Sequence, residues 1–264
     1  MASITAFIPM RSGSKRVTNK NVRTLGAHPL CAYTIAAAHD SGVFARVVVS
    51  TDSQQYAAIA QHYGATVLMR PPEFAQDTSP DIQWVRHALE AYPDTAFSIL
   101  RVTSPFRQPE TIQRAWKQFS RGGGDSLRAV ERVKQHPGKM WRLMQGLEGP
   151  LSPLQPAEYN DGRMKVPYHS MPTQMLPEVY AQNASLEMAW SRVIAQYNTI
   201  SGNRIIPFWS EGHEGFDLNT EDDWLLAEAL LAKGLQLPTV DYAPFEGEPK
   251  KETNDRQGTR LQKR

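Results

Sequence analysis

The chain has little cysteine and no long apolar segment. It contains one cysteine, Cys31, among 264 residues, so a disulfide framework like that of small secreted domains is excluded. No stretch approaches the ~20 apolar residues that a membrane-spanning helix requires, and the apolar core of a secretion signal is absent. These absences predict that the protein has no membrane partner and works in the reducing cytoplasm.

Neither sign of charge dominates the sequence. There are 29 Lys and Arg residues against 27 Asp and Glu residues, which gives a formal net charge of +2. Nucleic-acid-binding domains usually carry a dominant basic face, so the composition predicts no nucleic-acid partner. With 41% hydrophobic residues, the chain can bury one sizeable core, and we expect one domain.

Short apolar runs alternate with helical patterns through most of the chain. Runs typical of buried strands occupy residues 4–8, 46–50, 66–69, 97–100 and 204–208. Helical patterns occupy residues 29–42, 53–62, 81–92 and 221–233. This alternation predicts an α/β fold with a mostly parallel sheet and helices on both faces.

Two regions depart from this alternation. Residues 136–182 are rich in Pro, Met, Gln and Tyr and have weak periodicity, which predicts an excursion over the sheet instead of a second core. Residues 244–264 mix charges with almost no apolar anchor, so we expect a disordered polar tail. The predicted domain therefore spans residues 1–240.

The first strand leads directly into a basic loop. Residues 8–25 read IPMRSGSKRVTNKNVRTL and carry five cations: Arg11, Lys15, Arg16, Lys20 and Arg23. Between them, Ser12, Gly13 and Ser14 leave room for a ligand to approach the backbone, whose N–H groups can form an anion-binding nest. Ligands of open α/β sheets bind at the carboxyl ends of strands. The loop therefore predicts a polyphosphate site, although it is neither a Walker loop nor a G-x-G-x-x-G motif.

This loop resembles the signature of the acylneuraminate cytidylyltransferases, which reads roughly I-P-A-R-x-G-S-K-x-x-x-x-K-N. Six residues fall in register with it: Arg11, Gly13, Ser14, Lys15, Lys20 and Asn21. The resemblance continues in residues 50–53, 70–77, 103–107, 180–183 and 216–220 and covers roughly residues 3 to 234. It implies a Rossmann-like (GT-A-like) nucleotidyltransferase domain. The expected reaction is transfer of CMP from CTP to an anionic acceptor, a sialic-acid-like nonulosonic acid, by a Mg²⁺-dependent homodimer.

The resemblance also assigns roles to individual residues. The candidate catalytic residues, expected on the phosphates, are Arg11, Lys15 and Lys20. The candidate nucleotide-binding residues are Ser12, Gly13, Ser14, Asn21, Arg70 and Ser79. The candidate acceptor-binding residues are Arg101, Thr103, Ser104, Lys139, Gln174 and Asn183. For Arg70, a surface arginine after a strand is the alternative.

The expected metal site lies at Asp217 and Asn219. The family pattern is close to D-I-D-T-E, and its two carboxylates lie two residues apart on one side of an extended segment, where they can share a Mg²⁺. Here the second position is Asn219, which offers a neutral oxygen and predicts weaker metal binding. Alternatively, Asp217 is a helix-entry residue before Thr220, the N-cap of the next helix.

Two further departures leave the acceptor open. Arg101 stands where the family usually has a glutamine, and residues 172–177 read PTQMLP where the family often has R-R-Q-x-L-P. A guanidinium at position 101 can bind a carboxylate or phosphonate, or it can simply pair with a nearby carboxylate. A phosphonate or another small acid is therefore an alternative acceptor. A catalytically weakened homologue that only binds nucleotides is the alternative of another class.

Overall fold

A seven-stranded sheet forms the centre of the protein. The computed structural model describes residues 2–144, 150–160, 162 and 165–246. The strands are β1 (Ile4–Pro9), β2 (Thr24–Leu25), β3 (His28–Pro29), β4 (Arg46–Thr51), β5 (Thr66–Met69), β6 (Ala96–Ile99), β7 (Ser126–Arg132), β8 (Trp141–Leu143), β9 (Leu151–Pro153), β10 (Glu158–Asn160), β11 (Lys165–Pro167), β12 (Tyr180–Trp190) and β13 (Ile205–Trp209). The helices are α1 (Leu30–Asp40), α2 (Gln54–His62), α3 (Asp81–Ala91), α4 (Pro109–Arg121), α5 (Arg192–Tyr197) and α6 (Glu221–Ala232). Each helix within the described ranges is too short or too polar to span a bilayer.

The central sheet has the order β13-β7-β12-β6-β1-β4-β5. Its neighbours pair in parallel except at β12, which runs antiparallel to both β6 and β7. The carboxyl ends of β1, β4, β5 and β6 therefore meet at one edge of the sheet. The predicted α/β fold with a mostly parallel sheet is confirmed.

The two faces of the sheet bury different apolar layers. Side chains alternate between the faces of a strand, so Ile4 and Ile8 of β1 pack in the larger core with residues of α1, α2, α4 and α6. Phe7, on the opposite face, packs with Trp84 of α3 and Val193 of α5. Helices thus cover both faces, as the alternating sequence pattern predicted.

The described residues between β7 and β12 belong to neither of these two apolar layers. They contain two short antiparallel ribbons, β8 with β9 and β10 with β11. The excursion was predicted to end at residue 182, but it ends earlier, because β12 begins at Tyr180 and is a strand of the central sheet. The boundary of the domain at residue 240 stays a prediction, and residues 247–264 of the predicted tail lie outside the described residues.

Candidate active site

An open cleft lies at the edge of the sheet where β1, β5 and β6 end, and its cavity volume is about 310 Å³. Most of the predicted site residues line it: Arg11, Ser14, Lys20, Asn21, Arg70, Ser79, Arg101, Thr103, Asp217 and Asn219. They come from segments far apart in the sequence, and the shared strand edge brings them together. This is the place that the rule for open α/β sheets predicts for a ligand.

Asp52 holds the start of the basic loop. Its carboxylate accepts hydrogen bonds from the Ser12 N–H at 2.7 Å and from Ser12 Oγ at 2.8 Å. This N–H therefore faces Asp52 in the structure, in contrast to the anion-binding nest predicted for it. Gly13 follows with φ +73°, a left-handed conformation in which a side chain is strained even though the space around it is open. The Asn21 side chain is buried and donates to the Arg11 carbonyl at 3.1 Å.

Lys20 joins the loop to the segment that precedes α6. Its Nζ donates to the Leu218 carbonyl at 2.9 Å and to Asn219 Oδ1 at 3.1 Å. Burial lowers the pKa of Lys20, while the negative charge of Asp217 acts in the opposite direction. Arg16 Nη2 also donates to Asn219 Oδ1, at 3.3 Å. Positive charge from the loop is thus concentrated beside Asp217.

Asp217 and Asn219 contact each other. Asn219 Nδ2 donates to Asp217 Oδ2, whereas Asp217 Oδ1 has no hydrogen-bond partner in the described part of the chain. No group of three or more His, Cys, Asp or Glu side chains suited to a metal occurs among the described residues. Thr220 is the N-cap of α6, as predicted, and forms a capping box with Asp223. Asp217 precedes this cap and lines the cleft.

Two exposed cations of the loop share one carboxylate. Asp77 accepts a hydrogen bond from Arg11 Nη2 at 2.6 Å and forms an ion pair with Lys15 Nζ at 2.5 Å. The hydrogen bonds from Lys15 and Arg11 lower the pKa of Asp77. Arg11 and Asp77 line the cleft, whereas Lys15 lies at its margin with 78% of its side chain exposed.

Arg70 is a buried arginine that faces the cleft. It is 5% exposed, so the alternative of a surface arginine is wrong. Its Nε donates to Ser50 Oγ at 3.0 Å, its Nη2 donates to the Ser50 carbonyl at 3.1 Å, and its guanidinium lies 4.7 Å from the Trp84 ring centroid. Burial lowers the pKa of Arg70 to about 10. Ser79, on the same side, donates to the Glu73 carbonyl and shapes the intervening loop.

Arg101 lines the cleft as part of an ionic network. Its Nη2 contacts Asp81 Oδ2 at 2.5 Å and lies 3.4 Å from Glu187 Oε1, and Glu187 is also paired with Arg128. The interpretation that Arg101 pairs with a carboxylate is therefore confirmed. Burial acts to raise the pKa of Asp81, but the charge of Arg101 and the hydrogen bonds from Trp84 and Arg101 outweigh it and lower that pKa.

Two further residues of the site, Asp81 and Arg107, were not predicted from the sequence. Asp81 is the first residue of α3, where acidic residues are common for reasons of the helix dipole alone. Arg107 is 1% exposed, and its guanidinium donates to the Ser185 carbonyl and to Thr34 Oγ1. It also reaches the Arg101 carbonyl, so it fixes the backbone beside the cleft. Arg107 lies in residues 103–107, which resemble the family sequence, and this match could have marked it as a site residue.

The remaining predicted residues lie outside the cleft lining. Lys139 donates to the carbonyls of Met171 and His169, so its ammonium organises the excursion. Asn183 bonds Ser185 and Ser210, Ser104 is buried, and Gln174 is exposed in a short turn. Thr103, by contrast, lines the cleft, and its backbone carbonyl accepts a hydrogen bond from the Leu218 N–H at 2.9 Å. The acceptor roles of these residues stay predictions.

A solved structure identifies the class of the fold. The chain is similar to the solved structure of a CMP:2-keto-3-deoxy-manno-octonic acid synthetase complexed with CTP, with a TM-score of 0.64 and 13% sequence identity over 88% of this chain and 99% of that one. At this identity the likeness establishes the fold alone. The chain thus has the fold of the α/β nucleotidyltransferases.

Sequence similarity then gives the family. The sequence model of a family described as cytidylyltransferase matches residues 5–140. A CMP-N,N'-diacetyllegionaminic acid synthase of Legionella pneumophila is 34% identical over 235 residues, which is 86% of this chain and 96% of the relative. An N-acylneuraminate cytidylyltransferase of Escherichia coli O18:K1:H7 is 49% identical over 117 residues, but the match spans 44% of this chain and only 28% of that relative. The chain belongs to the cytidylyltransferase family.

Proposed function

We propose that the protein is an enzyme that transfers CMP from CTP to a nonulosonic acid. In this reaction, an acceptor hydroxyl oxygen forms a bond to the α-phosphorus of CTP. The bond from that phosphorus to the bridging oxygen breaks, and pyrophosphate and the hydroxyl proton are released. The observation that carries the proposal is the meeting of Arg11, Lys20 and Arg70 with Asp217 in one cleft at the carboxyl edge of the sheet.

The cations of the cleft match the charge that the reaction develops. Breaking the bond to the β-phosphate moves negative charge onto the leaving pyrophosphate, and fixed donors aimed at that charge stabilise the transition state. Lys20 is held by two hydrogen bonds, so its ammonium is preorganised on the phosphate side. Arg11 and Lys15 supply further charge there, and Arg70 presents a buried guanidinium to the nucleotide.

Magnesium is the cofactor that we propose for Asp217. A carboxylate with one unpaired oxygen fits Mg²⁺, which proteins commonly hold through one or two carboxylates together with substrate phosphates. When bound, the ion would neutralise charge on the triphosphate. Asn219 fits the role of a direct ligand less well, because its amide oxygen already accepts from Lys20.

The proposed acceptor class is supported by the names of two relatives and by the part of the cleft that Arg101 and Thr103 line. The L. pneumophila relative is named a diacetyllegionaminic acid synthase and the E. coli relative an N-acylneuraminate cytidylyltransferase, and both names refer to nonulosonic acids. We expect the acceptor to bind where Arg101 and Thr103 line the cleft. Because Arg101 is paired with Asp81, we expect it to donate hydrogen bonds to the acceptor instead of supplying an uncompensated charge.

We further propose a cytoplasmic homodimer whose contact is formed by the excursion. Large apolar side chains are exposed there, among them Trp141, Leu143, Leu151 and Met175. Exposed apolar patches of this kind mark interaction surfaces in soluble proteins, and a second copy of the chain is the partner that the family resemblance implies.

Pyrophosphate release in the presence of CTP and Mg²⁺ tests the proposed reaction. The acceptor panel contains nonulosonic acids, small phosphonates and phosphates, and a reaction without acceptor is the control. We expect release that depends on a nonulosonic acid. Release with phosphonates alone would replace the acceptor class, and CTP binding without release on any acceptor would favour a nucleotide-binding homologue.

A further inference from the structure

Asp77 lies between two cations that are proposed to bind the phosphate chain. Its Oδ1 is 2.6 Å from Arg11 Nη2 and its Oδ2 is 2.5 Å from Lys15 Nζ. The residue belongs to the loop that follows β5, and it lines the cleft. Each carboxylate oxygen therefore contacts a different cation, in the way that two oxygens of a bound phosphate chain would contact them.

A carboxylate and a phosphate compete for the same donors. Arg binds phosphate most strongly when two parallel N–H groups meet two oxygens, and the Nη2 group that such a contact needs is the one bonded to Asp77. The contacts from Lys15 and Arg11 lower the pKa of Asp77, so its charge persists at neutral pH. A polyphosphate that takes up both cations must displace this carboxylate.

We propose that Asp77 is an internal anion that occupies Arg11 and Lys15 in the empty cleft, is displaced by the phosphate chain and returns as pyrophosphate leaves. This inference rests on the proposed function, since the displaced contacts are those of the CTP phosphates. Asp77 then weakens the binding of CTP and of pyrophosphate, and it shortens the lifetime of the product complex.

The solvent exposure of the two ion pairs of Asp77 determines how much this residue weakens phosphate binding. The side chains of Arg11 and Asp77 are 38% and 39% exposed, and that of Lys15 is 78% exposed. Exposed ion pairs are weak and screened by salt, so an incoming phosphate can replace them readily. We expect removal of the Asp77 charge to tighten phosphate binding about three- to fivefold at low salt, and by less at high salt.

The test measures the dissociation constants of CTP and of inorganic pyrophosphate by calorimetry without acceptor. It compares the wild type, Asp77→Asn and the matched control Glu73→Gln. Glu73 is exposed on the same loop, and its carboxylate makes no ion pair among the described residues. The Glu73→Gln variant therefore removes the same charge as Asp77→Asn but leaves the ion pairs of Arg11 and Lys15 intact. Because Asp77 is exposed, its variant is expected to fold normally.

We expect both dissociation constants to fall about three- to fivefold in Asp77→Asn and to stay within about twofold of the wild type in Glu73→Gln. An unchanged or weaker affinity in Asp77→Asn overturns the proposal, as does an equal effect in Glu73→Gln or a wild type that binds neither ligand. Turnover is measured separately on the acceptor panel. Absence of turnover overturns the proposed function, while the ratio of dissociation constants still decides the role of Asp77.

Discussion

Lys20 Nζ donates a 3.1 Å hydrogen bond to Asn219 Oδ1, across 199 residues of the sequence. The bond joins the loop after the first strand to the segment that enters the last helix. It also places the ammonium beside Asp217, whose charge opposes the effect of burial on the Lys20 pKa. The basic loop and the proposed metal ligand are therefore joined in one part of the structure.

Lys20→Ala is expected to lower kcat about hundredfold, because a preorganised charge near the leaving pyrophosphate is lost. Lys15→Ala, which removes the same charge from an exposed position, is expected to cost about tenfold or less. Steady-state pyrophosphate release measures both variants, and circular dichroism checks their folds. Equal losses in the two variants would mean that burial of Lys20 has no catalytic significance.

The pH profile of the wild type reports the charge of Lys20. Burial lowers the pKa of this lysine from its usual 10.5, so raising the pH removes its charge earlier than that of an exposed lysine. We expect kcat/KM for CTP to fall on an alkaline limb that begins below pH 10.5. The limb should be absent from the residual activity of Lys20→Ala, and a limb retained there must come from another group.

Asn219→Asp is expected to bind Mg²⁺ about tenfold more tightly than the wild type, because a second carboxylate joins Asp217. Without a divalent cation the two like charges repel each other and the hydrogen bond from Asn219 Nδ2 to Asp217 is lost. Lys20 and Arg16, which donate to Asn219 Oδ1, offset this repulsion, so the test is the response to metal: the melting temperature should rise more steeply than that of the wild type as Mg²⁺ is added. The exposed Asn203→Asp serves as the control, and an identical Mg²⁺ response in both variants contradicts the assignment.

Asp81→Asn is expected to raise KM for the acceptor about tenfold and to change KM for CTP much less. The substitution removes the charge that holds Arg101 in the cleft. A rise in KM confined to CTP would assign this network to the nucleotide side.

Arg107→Lys is expected to lower the free energy of unfolding by about 2 kcal/mol, because a lysine keeps the charge but loses the forked donors. The affected acceptors include the Ser185 carbonyl and Thr34 Oγ1. Arg46→Lys, at an exposed position, is the matched control and should change stability by less than about 0.5 kcal/mol. Chemical denaturation measures both, and similar values for the two variants would remove the structural role given to Arg107.

The parts of the fold that carry simple periodicity were predictable from the sequence. The strand before the basic loop is a largely apolar run, and the helix after Thr220 starts with a capping signal and an acidic first turn. Strand β12 was not predicted, because its buried face carries Glu187, whose pairing with Arg128 is a tertiary contact. A charged residue at a core position conceals the strand pattern until its partner is known.

The candidate site was predictable where a residue follows a strand. Arg11, Arg70 and Arg101 each come shortly after a parallel strand and reach the same edge of the sheet. Lys139 and Gln174 lie in the excursion, whose sequence has weak periodicity, and the structure leaves them outside the cleft. Asp81 was missed for a related reason, since its contact with Arg101 spans 20 residues and leaves no local pattern.

Phosphorus NMR of a single reaction tests the central claim most directly. The protein is incubated with CTP, Mg²⁺ and a nonulosonic acid, and the spectra follow the three CTP resonances. We expect them to be replaced by one pyrophosphate signal and one phosphodiester signal of a CMP conjugate, and the two products to form in equal molar amounts. Unchanged CTP with every nonulosonic acid, or hydrolysis to CMP without a conjugate, would contradict the account.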